Sequence, residues 1–504
     1  LDWAVFKPRR LERFLRKQGL KGSSYKFLHG DNKESLEILR NAKSKPIAVD
    51  DDIKPRVVGF FVKTIDTYGK NCFFWRGTRP VVILTDPETV KEVFKKTEAF
   101  QKPVDPNPLA KFLSTGLVAI EGEKWAKHRK IMNPAFHMEK LKRMVSAFGV
   151  SCEEALGKWD VLLSSSSSGE IDVWPYLQTI TSDAISRTAF GSSYEKGRRV
   201  FELQIEQSEH IFTAGQSIYI PGSRFLPTKR NRRMKEIERE IQSLIRGLIN
   251  ERIESMKAGK ACENDLLGLM LESNNQEIEQ SGGDRRSGMS MADIVEECKL
   301  FYFAGQETTS VLLCWTLVLL SRHPEWQTRA REEVLAVFGN EKKPDFAGLN
   351  RLKTVTMILN EVLRFYPPVA LLARTVHEEV TLGGGGKKVT LPEGANVSLP
   401  TIFLHHDRDV WGKDAMEFNP ERFREGVNSA QKGKGNNDGV AFFPFGWGSR
   451  ICIGQNFALM EAKVVLAMIL QRFSFDLSPS YAHAPTQIVT VQPERGAHLI
   501  LRTL

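Results

Sequence analysis

The stretch Phe445-Gly446-Trp447-Gly448-Ser449-Arg450-Ile451-Cys452-Ile453-Gly454 is the most informative part of this 504-residue chain. Its glycines allow a tight loop to approach a flat molecule closely. Cys452 precedes a predicted helix over 455–473, where the helix dipole and free N–H groups favour a thiolate. Arg450 is suited to pair with a carboxylate on a bound group. A buried core cysteine is the alternative interpretation, but five special positions within ten residues favour a cofactor-binding loop.

The bulk composition describes an ordinary globular protein, with 41% hydrophobic and 26% charged residues. The six cysteines lie far apart without a CxxC pair, which is typical of a chain in a reducing compartment. The formal charge is +10, and residues 7–26 carry eight Lys or Arg against Glu12 alone. Because no zinc finger, RNA-binding aromatic motif or basic heptad follows, we expect no nucleic-acid binding.

The basic N-terminal stretch suits the cytoplasmic side of a membrane anchor, although a solvated face is the alternative. The longest near-apolar run, 311–320, is well short of the roughly 20 residues that span a bilayer. The chain begins at Leu1 rather than Met, so we expect an upstream transmembrane anchor that this sequence lacks. We therefore interpret residues 1–30 as a membrane-proximal basic segment and residues 31–504 as one domain.

Periodicity predicts a mainly α fold, a large helical body with a small β-rich subdomain. Helices are expected over 229–257 and 290–322, the second capped by Ser290 and Asp293 and ended by Pro324. Asp86 and Pro87 should begin another helix. Strands are expected over 81–84 and 499–501, with a hairpin over 380–391. Polar composition predicts surface loops over 164–169, 272–288 and 426–439.

The Cys452 loop resembles the haem-binding loop of the cytochrome P-450 superfamily, whose pattern is Phe-x-x-Gly-x-Arg-x-Cys-x-Gly. Glu361 and Arg364 match the family's Glu-x-x-Arg helix, and Arg422 matches the arginine that completes a buried ion triad with them. Taken alone, Glu361 and Arg364 are an ordinary i,i+3 pair. The resemblance implies that the triad supports the haem loop without taking part in the chemistry.

The segment 304–309, Ala-Gly-Gln-Glu-Thr-Thr, resembles the family's oxygen-activation segment in the middle of the long helix. Gly305 costs about 1 kcal/mol of helix stability relative to Ala, and a small residue there leaves room for dioxygen. The resemblance implies that Glu307 and Thr308 are catalytic, as an acid–alcohol pair that delivers protons. A helix with small residues facing a neighbour is the alternative interpretation.

Two further motifs complete a predicted haem site. Trp125 and Arg129 resemble the family's Trp-x-x-x-Arg helix, and Arg374 follows the Pro367-Pro368 turn at the position of a second propionate contact. The resemblance implies haem b with Cys452 as the axial ligand of its iron. The implied cofactor contacts are Trp125, Arg129, Ala304, Arg374, Phe445, Arg450, Cys452 and Gly454.

Residues 6–22 and the Glu-Thr-Thr form of 307–309 resemble the plant seventy-two clan, whose members oxidise terpenoids. This implies hydroxylation of an iridoid, triterpenoid or diterpenoid, with NADPH-cytochrome P-450 reductase supplying electrons and O2 as co-substrate. It also implies a monomer at the cytosolic face of the endoplasmic reticulum membrane. Substrate contacts are expected along 103–120 and at Phe301, Phe303, Ala304, Val369, Ala370, Leu371, Leu372, Gln487 and Ile488. For each of these, core packing is the alternative.

Two hypotheses concern the surface of the protein. Ile218, Tyr219, Ile220, Phe225 and Leu226, beside the basic run 229–233, are a candidate membrane-dipping patch, and a buried helix junction is the alternative. Lys124, Lys127 and Lys130 are candidates for docking an acidic reductase face, and ordinary solvated lysines are the alternative. Four rivals to the terpenoid hydroxylase remain open. They are inactivation of a brassinosteroid-type hormone, a reductase-independent haem-thiolate isomerase or dehydratase, a haem protein without catalysis, and a helical protein without haem.

Overall fold

Helices make up most of the protein in a computed structural model, which describes residues 2–103, 108–113, 115–191, 194–215, 222–259, 265–383, 388–430 and 441–504. In chain order the α-helices are α1 Lys7–Lys17, α2 Asn32–Lys43, α3 Lys54–Tyr68, α4 Pro87–Lys95, α5 Gly122–Met132, α6 Met138–Leu141, α7 Val145–Leu163, α8 Trp174–Phe190, α9 Tyr194–Gly215, α10 Lys229–Lys257, α11 Leu266–Gln280, α12 Met291–Arg322, α13 Pro324–Phe338, α14 Phe346–Leu349, α15 Lys353–Phe365, α16 Thr401–His405, α17 Arg408–Trp411 and α18 Gln455–Arg472.

The strands are short and form separate small sheets. They are β1 Lys21–Gly22, β2 Cys72–Arg76, β3 Arg79–Ile83, β4 Phe100–Gln101, β5 Ser168–Asp172, β6 Leu372–Val376, β7 Val380–Leu382, β8 Val389–Leu391, β9 Asn396–Leu399, β10 Phe473–Leu477, β11 Pro485–Gln487, β12 Val491–Pro493 and β13 His498–Thr503. The largest sheet has the order β1-β2-β3-β9-β6-β4, and a second has the order β10-β13-β5. Strands β7–β8 and β11–β12 are antiparallel hairpins. The predicted mainly α fold with a small β-rich part is confirmed.

Helix α12 runs through the centre of the helical body. It begins with a capping box in which Ser290 and Asp293 exchange side-chain and backbone hydrogen bonds, as the sequence predicts. It ends at Arg322, because His323 leaves helical geometry and Pro324 starts α13. Among the described helices, α12 alone is long and apolar enough to cross a membrane, but 78% of its most apolar window is buried inside the protein. It is therefore a core helix.

Two clusters of buried apolar side chains hold the layers together. The larger cluster joins the helices around α12, while the smaller one surrounds the β-rich part and includes Phe73, Trp75 and Val82. Leu15 and Leu20, from the basic N-terminal segment, are buried in the smaller cluster. Strand β1 adds residues 21–22 to the edge of the main sheet. The N-terminal segment thus packs against the β-rich part.

Several local predictions are confirmed, and two are wrong in part. The helix over 229–257, the Asp86 cap, the hairpin over 380–391 and the terminal strand are all present. The loop predicted over 272–288 is wrong for 272–280, because Asp265 caps α11 and its buried leucines carry the helix on to Gln280. The loop predicted over 164–169 is wrong for its last two residues, which pair with β13. In the third predicted loop, residues 431–439 lie outside the described residues.

Candidate active site

A cavity of about 340 Å³ lies between α12 and the loop that carries Cys452. Seven residues of α12 line it, namely Leu300, Phe301, Ala304, Gly305, Thr308, Thr309 and Leu312. They recur every three or four residues, which places them on one face of the helix. The rest of the wall is mainly apolar and includes Met132, Phe136, Ile185, Leu266, Leu363, Pro368, Val369 and Leu372. Such a wall suits a hydrophobic ligand.

Cys452 sits in a tight loop, and its side chain opens onto this cavity. The Cys452 N–H donates to the carbonyl of Phe445 at 2.9 Å, which closes the loop. Gly446 and Gly448 adopt φ values of 74° and 73°, in the left-handed region that favours glycine. A Cβ at Gly448 would also lie 3.3 Å from the carbonyl oxygen of Phe94. The loop therefore needs glycine at positions 446 and 448.

The environment that the protein gives Cys452 disfavours the charged thiolate. Burial raises the pKa of its thiol, and the Gly454 N–H and the Arg129 guanidinium only oppose that rise. Helix α18 begins at Gln455, as predicted, so Cys452 lies three residues before the helix and feels its dipole less than a residue in the first turn would. A metal ion bound to sulfur deprotonates a thiol outright. The site therefore fits a thiol that becomes a thiolate when it ligates a metal.

Four cationic side chains line one end of the cavity: Lys102, Arg129, Arg374 and Arg450. Burial lowers the pKa of Arg374 and of Arg450 to about 10. Burial and then the charges of Arg374 and Arg450 lower the pKa of Lys102 to about 7. Arg450 pairs with Glu121 and lies 4.0 Å over the ring of Trp125. This excess of positive charge fits a bound group that carries carboxylates.

Arg129 and Arg450 also connect the loop to neighbouring elements. Arg129 Nη1 donates to the carbonyl of Ile451 at 2.8 Å, next to Cys452. Arg450 Nη1 donates to the carbonyl of Ile120 at 2.9 Å. The two arginines thus brace the cysteine loop as well as facing the cavity.

A buried ion cluster lies behind the loop. Arg364 donates twice to the carboxylate of Glu361, each bond 2.7 Å long, and both side chains are fully buried. Arg422 Nε lies 3.6 Å from Glu361 Oε2 and also pairs with Asp414 at 3.1 Å. The structure thus brings the three predicted triad residues together and adds Asp414 to them.

His405, a residue that the sequence analysis does not single out, links this cluster to the cysteine loop. Its carbonyl accepts from Arg364 Nη1 at 2.8 Å, and its Nε2 accepts from the Phe443 N–H at 2.9 Å. Burial and then the charge of Arg364 lower the pKa of His405 to about 3, so the ring is neutral. Since Nε2 accepts, the ring proton is assigned to Nδ1.

Gly305 has a packing role beside its place in the cavity wall. A Cβ at this position would lie 2.7 Å from Cγ1 of Ile185 on α8. The alternative interpretation of the segment, small residues facing a neighbouring helix, is therefore part of the explanation for this glycine. Thr308 faces the cavity, and its hydroxyl donates to the carbonyl of Ala304 at 2.9 Å. That bond runs one turn back along α12.

The side chain of Glu307 points away from the cavity and is not part of its wall. It is buried, and burial raises the pKa of its carboxyl, while hydrogen bonds from Thr490 and Gln492 oppose that rise. The structure therefore brings Thr308 to the cavity and holds Glu307 against the segment that contains β12.

The predicted substrate contacts divide into two groups. Phe301, Ala304, Val369 and Leu372 line the cavity, whereas Phe303, Ala370, Leu371, Gln487 and Ile488 lie outside its wall. Phe303 is off the stripe formed by Phe301, Ala304 and Thr308, because two residues along a helix turn the side chain by about 200° from Phe301. From the segment 103–120, Leu117 and Val118 line the cavity, while residues 104–107 and 114 lie outside the described residues.

Comparison with known proteins identifies the family. The family model described as Cytochrome P450 matches residues 52–500. "Cytochrome P450 CYP72A219" of Panax ginseng is 56% identical over 504 residues, covering 100% of this chain and 95% of the relative. "7-deoxyloganic acid hydroxylase" of Catharanthus roseus is 52% identical (100% and 95% covered). "11-oxo-beta-amyrin 30-oxidase" of Glycyrrhiza uralensis is 53% identical (99% and 94% covered).

A helical body around α12 and a cysteine loop opening onto an apolar cavity define a haem-thiolate oxygenase, and the chain belongs to the cytochrome P450 family. Within that family its relatives belong to the plant seventy-two clan. The chain is therefore a cytochrome P450 monooxygenase, an enzyme that takes haem, a redox partner, oxygen and a small substrate. The residues present fit the haem, since one thiol faces the cavity and four cations match its carboxylates.

Proposed function

We propose that this enzyme hydroxylates a hydrophobic plant terpenoid with O2 and with electrons from NADPH, delivered by NADPH-cytochrome P-450 reductase. The observation that carries the proposal is the joint position of Cys452, Thr308 and an apolar wall around one cavity. The thiol provides a metal ligand, the hydroxyl provides a route for protons, and the wall excludes water.

Haem b would be held by Cys452 as the ligand of its iron and by Trp125, Arg129, Arg374 and Arg450 at its carboxylates. Phe445, Gly454 and Ala304, which line the same cavity, would complete its binding site. When bound, the haem activates dioxygen and supplies the oxidising chemistry, and a thiolate ligand favours O–O cleavage. Lys102 joins this set because it lines the same end of the cavity as Arg374 and Arg450.

Thr308 and Glu307 are the proposed proton-transfer residues. The Thr308 hydroxyl faces the cavity, where it can hold a hydrogen-bonded water or pass a proton into the cavity. Glu307 is the adjacent acid, and burial favours its protonated form. An acid and a hydroxyl in series are suited to proton transfer into a site that otherwise excludes water.

The relatives and the cavity wall support a terpenoid substrate. Relatives more than 50% identical carry the names 7-deoxyloganic acid hydroxylase, secologanin synthase and 11-oxo-beta-amyrin oxidase. Phe301, Leu300, Val369 and Leu372 give the wall the apolar character that an iridoid, triterpenoid or diterpenoid skeleton requires. A brassinosteroid-type hormone is the second candidate substrate, since the same wall would accept a steroid skeleton.

The enzyme is proposed to lie on the cytosolic face of the endoplasmic reticulum membrane as a monomer, held by an N-terminal anchor. Trp3 and Phe6 are exposed next to the basic helix α1, and Phe225 and Leu226 are exposed before α10. Such side chains suit a membrane surface. Ile218, Tyr219 and Ile220 of the predicted patch lie outside the described residues.

The three lysines suggested for reductase docking are engaged within the chain. Lys124 pairs with Asp293 at 2.6 Å, and Lys130 pairs with Glu277 at 2.7 Å. Lys127 donates to the carbonyls of Arg286 and Gly288 at 3.0 and 2.9 Å. These intramolecular contacts reduce the support for a docking role, and we do not include the lysines in the proposal.

Turnover of a terpenoid and steroid panel by the purified enzyme, with and without NADPH and the reductase, tests the proposal. We expect a hydroxylated product that depends on both, and a substrate-induced spin-state change of the haem. Turnover of a hydroperoxide without reductase would instead identify the isomerase or dehydratase alternative. Absence of any substrate-induced change across the panel would contradict the terpenoid assignment.

A further inference from the structure

The carboxyl group of Glu307 is held by two side chains from one segment of the chain. Its Oε1 accepts a hydrogen bond from the Thr490 hydroxyl at 2.5 Å and another from Gln492 Nε2. Both donors use the same oxygen, and neither engages Oε2. Glu307 itself is 5% exposed, so these bonds form in a nearly dry environment. Hydrogen bonds to a charged group are strong under such conditions.

The segment that supplies the two donors is fixed against the cavity region. The Val491 N–H, between Thr490 and Gln492, donates to the carbonyl of Pro368 at 3.0 Å. The Val491 carbonyl accepts from Trp315 Nε1 at 2.7 Å, and Trp315 lies on α12 two turns after Glu307. Pro368 is part of the cavity wall. The donors therefore keep a fixed position relative to both α12 and the cavity.

Charged groups on the elements around Glu307 are paired with other residues. Among the described residues, no cation lies within ion-pair distance of Glu307. On neighbouring elements, four acidic residues are paired with arginines: Asp183 with Arg187, Glu361 with Arg364, Glu494 with Arg56, and Asp476 with Arg502. Asp172 accepts hydrogen bonds from backbone N–H groups. The buried Glu461 faces Thr309. On α12 itself, Glu297 pairs with His128 and Lys299 with Glu238 and Glu296. The Thr490 and Gln492 bonds are therefore the polar side-chain contacts that act on this carboxyl.

We propose that Thr490 and Gln492 are positioning residues for Glu307, which fix the direction of its carboxyl group and support its charged form against burial. This inference rests on the proposed role of Glu307 as a proton donor. An acid that donates a proton in every turnover must also lose and regain it near the working pH. Without these donors, burial would act on the carboxyl unopposed and favour its protonated form. Because both donors bind Oε1, Oε2 is the oxygen assigned to carry the proton.

The positioning role predicts the direction in which the pKa of Glu307 shifts when a donor is removed. Burial raises the pKa of Glu307, and the two donors lower it. Removing either donor destabilises the carboxylate relative to the acid, so the pH at which Glu307 titrates must rise. A hydrogen bond to a charged group corresponds to a shift of about one pH unit. The double variant should shift further than either single variant.

The chain offers matched variants for the test. Thr490→Val and Gln492→Met each remove one donor at similar volume, and Thr490→Ser keeps the hydroxyl. Thr486→Val is the control, because Thr486 lies opposite Gln492 in the β11–β12 pairing and is about as buried as Thr490. Its hydroxyl has no hydrogen-bond partner among the described residues.

Infrared titration of the haem-loaded enzyme gives the first readout. The carbonyl band of protonated Glu307 is assigned by its loss in Glu307→Gln, and its midpoint pH is then measured in each variant. We expect the midpoint to rise in Thr490→Val and Gln492→Met and to stay near the wild-type value in Thr490→Ser and Thr486→Val. A second readout is the pH profile of coupling, the amount of product formed per NADPH consumed. We expect the midpoint of its alkaline side to move to higher pH by the same amount.

The outcomes separate this inference from the proposed function. An unchanged or lowered midpoint in Thr490→Val and Gln492→Met overturns the positioning role, as does an equal shift in Thr486→Val. If the wild-type enzyme still forms product in the same experiment, the proposed function is not contradicted. A raised midpoint together with a pH profile that does not follow it supports the positioning role and overturns the role of Glu307 in proton delivery.

Discussion

Arg364 Nη1 donates a hydrogen bond to the carbonyl of His405 at 2.8 Å, and the imidazole of the same histidine accepts from the Phe443 N–H at 2.9 Å. The buried charge of Arg364 is thereby connected to the backbone that leads into the cysteine loop. The Gly446 N–H in turn donates to the Phe443 carbonyl at 3.0 Å. The ion cluster thus supports the loop through His405, without touching Cys452.

His405→Leu should loosen the haem while a neighbouring histidine variant should not. The substitution leaves the buried Phe443 N–H without its acceptor, at a cost of about 1–3 kcal/mol. His406 is the control, because it is also buried but binds the Phe365 carbonyl and Lys54 instead of the loop. The measurement is the rate of haem loss to an acceptor protein. Equal rates in His405→Leu and His406→Leu would argue against the connection.

Arg364→Met should be severely destabilising. It leaves the fully buried carboxylate of Glu361 with Arg422 as its remaining cation at 3.6 Å. Breaking a buried pair costs about 3–5 kcal/mol, whereas an exposed pair is worth about 0–1 kcal/mol. Arg502→Met, which breaks the exposed pair with Asp476, is the comparison. Denaturant unfolding of the two variants checks this, and similar losses would contradict the buried character of the cluster.

Gly305→Ala and Ile185→Ala should be strongly coupled. A Cβ at position 305 would lie 2.7 Å from Ile185 Cγ1, so Gly305→Ala forces α8 and α12 apart and costs about 1–3 kcal/mol. Once Ile185 is truncated to Ala, the contacts with Cγ1 and Cδ1 are gone and only its Cβ remains, at 3.2 Å, so most of the clash is relieved and the helix propensity of Ala contributes favourably. A double-mutant cycle on unfolding free energies measures this coupling. If the two substitutions change the unfolding free energy additively, the contact with Ile185 is not the reason for glycine at position 305.

Lys102 should make the haem-free protein more stable as pH rises. Burial and two neighbouring arginines lower the pKa of Lys102 to about 7, below its unfolded value of roughly 10.4. Between these values the unfolded chain binds more protons, so the unfolding free energy increases by up to about 1.4 kcal/mol per pH unit. The gain ends above the unfolded value, and below about pH 7 the destabilisation is complete.

Lys102→Met should remove this pH dependence of the unfolding free energy. Lys102→Arg should keep the positive charge but no longer titrate in this pH range. The measurement is the difference in unfolding free energy between wild type and Lys102→Met across this pH range. A carboxylate from bound haem would stabilise the ammonium form, so the slope should be smaller in the haem-loaded protein. A wild-type slope equal to that of Lys102→Met would contradict the buried state of Lys102.

Local sequence signals predict much of this site because they describe local geometry. Gly446 and Gly448 have left-handed φ values, and Ser290 and Asp293 form the capping box that their spacing predicts. Helix periodicity also explains why Phe301 and Ala304 line the cavity while Phe303 does not, although the sequence alone does not say which face of α12 turns inward.

Residues that act through distant contacts could not be found in this way. His405, Lys102, Thr490 and Gln492 lie in unremarkable sequence, and each gains its role from a partner that only the tertiary fold brings near. The same reason explains the part of α11 interpreted as a loop, since buried leucines near Asp265 stabilise a helix whose later residues are polar.

The carbon-monoxide difference spectrum of the reduced, purified enzyme tests the central claim, that Cys452 ligates a haem iron in this cavity. We expect the band that is characteristic of thiolate ligation in the wild type and its loss in Cys452→Ser. The buried Cys314→Ser variant should keep the band, because its side chain lies in the core away from the cavity wall. A wild-type spectrum without the thiolate band, or an unchanged band in Cys452→Ser, would contradict the account.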